Sequence, residues 1–177
     1  MSDNFEENKV LAKDYIEKYG VTLQSTPVPE NPYLQNDDWA KNSLHFHCVI
    51  TNSDGRVFTT YYSAGGGIVG LWLEKNEKAF RIAVNGLKKT SIKYNEWFRK
   101  YARKYRPDLI SILECLALDV RDIADGIDFE YWADSLGYDT DSRSAEKIYN
   151  FCCEQYRDLS KFCGKSFNEF LQIEEDY

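Results

Sequence analysis

Two histidines, His45 and His47, and five cysteines, Cys48, Cys115, Cys152, Cys153 and Cys163, are the residues best suited to nucleophilic or metal chemistry in this chain. An imidazole within hydrogen-bond reach can draw the proton from a thiol, so a Cys–His pair such as Cys152 with His47 is one reading to test. The spacing favours a plainer one. His45 and His47 flank Phe46 in an alternating run, which puts both imidazoles on one strand face with Phe46 opposite. Two imidazoles on a strand can catch a metal, but a zinc site needs further ligands, and the chain has no Cys-x-x-Cys. The odd cysteine count, the irregular spacing and the adjacency of Cys152 and Cys153 predict reduced thiols. Cys48, Cys115 and Cys152 fall at apolar positions and are expected in the core. The glycines Gly65 to Gly67 lack both the Lys-Ser/Thr ending of a P-loop and the dinucleotide fingerprint, so a turn or bulge is expected there. No cofactor is expected, and the chain reads as a non-enzyme. A small hydrolase using His45, His47 or a carboxylate cluster would need a pocket where those groups converge.

Charge is the sharper signal. The net charge of −7 over 177 residues conceals three blocks. Residues 1–70 hold 9 acids and 5 bases, residues 71–107 hold 3 acids and 11 bases, and residues 108–177 hold 17 acids and 6 bases. A chain so divided can present surfaces of opposite sign to different partners. In the acidic block Asp119, Asp122, Asp125, Asp128, Glu130, Asp134, Asp139 and Asp141 recur every few residues. Such a surface can imitate a nucleic-acid backbone and occupy a basic groove; it can equally be a solvated face. In the basic block Lys93, Arg99, Lys100, Arg103, Lys104 and Arg106 accompany Tyr94, Trp97, Phe98, Tyr101 and Tyr105 on a helical pattern over 91–105. Bases there can meet phosphates while rings stack, or the rings can pack inward beneath a solvated cationic face.

The elements that must position these residues read as α+β: a helix and a small antiparallel sheet, then a helical C-terminal half, in a single domain. Apolar spacing predicts a first helix over 4–19, capped by Asp3 or Asn4 and ended by Gly20. Residues 21–34, with Pro27, Pro29 and Pro32, predict an edge strand passing into a loop. Residues 43–51 and 56–63, joined by Asn52-Ser53-Asp54-Gly55, predict a hairpin. Pro107 suits the first turn of a helix that turns Leu109, Ile112, Leu113 and Leu116 inward. A short helix is bounded by Asp128 and Gly137. A long one starts near Asp141, presents Ala145, Ile148, Cys152, Gln155 or Tyr156, Leu159 and Phe162, and stops at Gly164. A last helix over 166–176 is expected to open with a Ser166–Glu169 capping box. The first residues lack the basic start and apolar run of a signal peptide, and no apolar stretch reaches the ~20 residues of a membrane helix. Location in a bacterial cytoplasm, away from membranes, is the expectation.

The stretch Tyr138 to Tyr149, YDTDSRSAEKIY, joins a structural signal to a likeness. Asp139 and Asp141 alternate as calcium ligands do, but Arg143 holds the third alternate position and no glycine follows, so a helix start is expected instead. Residues 112–119, ILECLALD, and 129–149, FEYWADSLGYDTDSRSAEKIY, together with the hairpin HFHCVITNSDGRVFTTYYSAGGG, resemble a family of small phage and prophage accessory proteins. That family's pattern is L-x-C-L, F-E-x-W, G-Y-D-x-D-S-R-x-A-E. The likeness covers roughly 43–70 and 107–164 and departs at 71–106, a basic insertion where family members are much shorter. Some members are similar to anti-CRISPR proteins. The resemblance therefore implies a non-catalytic inhibitor that binds a Cas effector protein or ribonucleoprotein, such as Cas9, by steric block or DNA mimicry. The alternative is a nucleic-acid-binding accessory protein of phage recombination or replication, acting through the basic segment.

Overall fold

The computed structural model describes residues 9–28, 31–33, 44–64 and 107–174. Among these the order is strand β1 (Val10–Leu11), helix α1 (Ala12–Tyr19), strands β2 (Thr22–Val28), β3 (Leu44–Thr51) and β4 (Val57–Ala64), helices α2 (Leu109–Ala124), α3 (Phe129–Ser135) and α4 (Arg143–Cys163), a 3-10 turn (Gly164–Ser166), helix α5 (Phe167–Phe170) and strand β5 (Ile173–Glu174). The class is α+β, with a three-stranded antiparallel sheet in the order β2-β3-β4 and helices concentrated in the C-terminal half. Contacts divide the chain into two units. One takes in the described residues to Leu23, Ile50–Phe58 and those from Asp108 onward. The other takes in the described parts of Gln24–Val49 and Thr59–Pro107.

Alternation builds the hairpin as the sequence predicts. Phe46, Cys48 and Ile50 are buried at every second position, and Asn52 closes the turn by accepting at its side-chain oxygen from the amides of Asp54 and Arg56. Among the described residues β2 lies at an edge of the sheet, a position that tolerates its Pro27.

The helices follow their 3.6-residue stripes. On α2 the buried residues are Ile112, Leu113, Leu116, Ala117 and Val120, while Leu109 is only half-buried. On α4 they are Ala145, Cys152, Gln155, Leu159, Phe162 and Cys163. Burying each large apolar side chain contributes ~1.5–3 kcal/mol against chain entropy, and these two stripes pack against each other. Asp108 caps α2 by accepting from the amide of Ile110, so Pro107 lies one residue ahead of the cap rather than in the first turn. Ser142 caps α4, its Oγ accepting from the amide of Ala145 at 3.2 Å.

Both ends of the first unit depart from expectation. The predicted helix over 4–19 is helical only from Ala12 among its described residues, because Val10 and Leu11 are extended and pair in parallel with Ile173 and Glu174. The same pairing removes the predicted last helix beyond Phe170. Arg121 of α2 holds that C-terminal strand, donating to the carbonyls of Leu171 at 3.2 Å and Ile173 at 2.6 Å. Ser166 does not form the expected capping box. Its hydroxyl donates to the carbonyl of Cys163 at 3.0 Å and lies 2.7 Å from the hydroxyl of Tyr15. Glu169 instead accepts from Lys18 at 3.0 Å and from the Tyr19 hydroxyl. Tertiary partners outbid the local cap.

The hairpin turn also finishes two helices. The amide of Ser53 donates to the carbonyl of Tyr19 at the end of α1, where Gly20 takes the left-handed conformation (φ 59°, ψ 42°). Asn52 donates to the carbonyl of Phe162 at 3.1 Å and Arg56 to that of Lys161 at 3.0 Å. A guanidinium at this negative helix end satisfies a carbonyl that the helix itself leaves open. Phe58 follows inward, its ring 6.0 Å from that of Phe162.

Candidate functional site

The acidic residues sit on a short helix–turn–helix built from α2, α3 and the start of α4. Trp132, Ala133, Ala145 and Cys152 form its core, with Ile123, Ile127, Phe129, Ile148 and Tyr149 packed around them. The Tyr149 hydroxyl donates to the carbonyl of Ile127 at 2.8 Å, tying α4 to the α2–α3 turn. Trp132 stacks on Tyr138 with 5.6 Å between centroids and 14° between planes, fixing the loop after α3. The apolar side of α3 is thereby committed inward, and its other side must carry Glu130, Tyr131 and Asp134 outward.

Asp119, Asp125, Asp128, Glu130, Asp134, Asp139 and Asp141 are all exposed, and Asp122 is half-buried. Two of them have local structural work. Asp128 caps α3, accepting from the amide of Tyr131 at 2.9 Å, and Asp139 accepts from the amide of Asp141 at 3.0 Å. Among the described residues none of the eight is in an ion pair; the ion pairs there are Lys9–Glu174 and Lys18–Glu169. The one base between residues 119 and 141 is Arg121, and it is turned to backbone carbonyls. Among the described residues the stretch thus keeps its negative charge unpaired. Crowding by surrounding protein pushes the Asp119 carboxyl up to about 6, yet its side chain remains exposed. Even so shifted, the carboxyl is mostly ionised at neutral pH.

Sequence reasoning overlooked the apolar residues among these charges. Leu118, Tyr131 and Leu136 are each more than half exposed, Tyr131 at 66%. The available signal was register: Tyr131 is one residue from the inward Trp132 and three from Asp134, so it shares the outward side of α3 with the acids. Asp139 and Asp141 do not begin a calcium loop, since Ser142 opens α4 directly after them. Among the described residues no group of three or more His, Cys, Asp or Glu could hold a metal ion.

The imidazoles occupy structural positions. His45 is buried, with Nδ1 2.7 Å from the Ser63 hydroxyl, which also accepts from the Asn31 amide nitrogen at 3.1 Å. The His47 ring lies edge-on to Tyr61 at 5.3 Å. The described cysteines are all free thiols. Cys48, Cys152 and Cys163 are buried, whereas Cys115, expected in the core, is exposed on the outer side of α2. Burial pushes the thiols of Cys48 and Cys152 up to about 12 and that of Cys163 up to about 11, the opposite of the lowered pKa a nucleophilic thiolate needs.

The basic residues Lys93, Arg99, Lys100, Arg103, Lys104 and Arg106, the aromatic stripe beside them, and Gly65 to Gly67 lie outside the described residues. Among the described residues no helix is long and apolar enough to cross a membrane. Compared with protein-family models, with curated proteins and with solved structures, the chain gives no match in any of the three.

Proposed function

We propose that this chain is a non-catalytic inhibitor that docks its acidic α2–α3–α4 surface on a cationic, nucleic-acid-binding groove of a Cas effector. The carrying observation is the charge between residues 119 and 141, unpaired among the described residues: eight carboxylates, seven of them exposed, with the single intervening base engaged elsewhere. Carboxylates on a fixed helical scaffold can stand in for a run of phosphates, and a groove built for nucleic acid attracts them at long range. Complementary charge of this kind mainly speeds encounter and sets orientation. A DNA-cleaving effector such as Cas9 is the first target to try, in keeping with the family resemblance of residues 112–149.

The test is inhibition of target cleavage by a panel of purified effector complexes, with co-purification of the chain. Glu130→Lys with Asp134→Lys, both exposed and neither a helix cap, is expected to slow association roughly tenfold at low salt. Absence of complex formation and of inhibition across the panel refutes the proposal. A second reading, a nucleic-acid-binding accessory protein, draws on the excess of bases over residues 71–107. It predicts salt-dependent DNA or RNA binding by the free chain, lost on Arg99→Glu with Arg103→Glu; no binding at low salt removes it.

A further inference from the structure

We draw no further inference here: the strongest candidate, the exposed apolar side chains of Leu118, Tyr131 and Leu136 set among the carboxylates of α2, α3 and the loop after α3, carries nothing because nothing in the structure shows what covers them.

Discussion

Removing the Tyr15 hydroxyl and the Ser166 hydroxyl, singly and together, tests the buried contact that joins the start of the chain to its end. Both residues are buried, Tyr15 at 2% exposure and Ser166 at 8%. Their oxygens are 2.7 Å apart, Ser166 donates to the Cys163 carbonyl at 3.0 Å, and the Tyr15 hydroxyl reaches the Cys163 sulfur at 3.4 Å. With the Ser166 proton given to the carbonyl, the short contact takes the Tyr15 proton, and the longer contact to sulfur is the weaker one. Burial is also the main reason the pKa of the Tyr15 phenol is pushed far above its ordinary value, so it stays protonated across the working range. Tyr15→Phe deletes one net hydrogen bond and is expected to cost ~1 kcal/mol. Ser166→Ala leaves a buried phenol with only sulfur to bond, at ~2 kcal/mol. The double variant leaves no orphaned donor, so it should also cost ~2 kcal/mol, ~1 kcal/mol less than the two singles added. Urea unfolding followed by far-ultraviolet circular dichroism reads the helices that this contact ties. If the double variant loses the full sum to within ~0.5 kcal/mol, the two hydroxyls are not coupled and the reasoning fails.

Gly164 ends α4 at φ 55° and ψ −121°, where a side chain is strained, and an added Cβ would run into the guanidinium of Arg56. Gly164→Ala should therefore cost roughly 1–3 kcal/mol in the same urea assay, and Arg56→Ala in that background should cost less than it does alone. The Tyr19 and Lys18 hydrogen bonds lower the pKa of Glu169, so its contribution is complete above the ordinary glutamate value and is lost as pH falls through the lowered one. The stability gap between the parent chain and Glu169→Gln should be constant at neutral pH and close below about pH 4; a gap unchanged at pH 3 contradicts this. Asp128→Ala removes the cap of α3 and should cost ~1 kcal/mol, whereas Asp134→Ala, on the same exposed surface, should be within ~0.5 kcal/mol of the parent, as thermal unfolding can show.

Most of the regular structure is legible where a local rule and a buried stripe agree. The hairpin over 44–64 follows from alternation plus the Asn52–Gly55 turn, and α3 from Asp128 before it and Gly137 after it. The inward face of α4 repeats the apolar spacing of the sequence, down to Gln155, one of the two residues expected at that position. The acidic surface is legible as a run of charges. That its members are exposed, and unpaired among the described residues, follows only once Trp132 and Ala133 are seen to face the core and Arg121 to face Leu171 and Ile173.

The sequence by itself determined the identity and period of the elements, because side-chain alternation, helical stripes and capping residues act within a few positions of one another. Tertiary structure alone decided how the ends behave. Val10 and Leu11 could have extended α1, and Ile173 and Glu174 could have extended α5, but each pair is a strand because the other lies beside it. Ser166 and Glu169 had the spacing of a local cap and became partners of Tyr15, Lys18 and Tyr19, about 150 residues away. A backbone or hydroxyl group bonds whichever partner packing brings within about 3 Å, and no short-range pattern encodes a partner supplied by the opposite end of the chain.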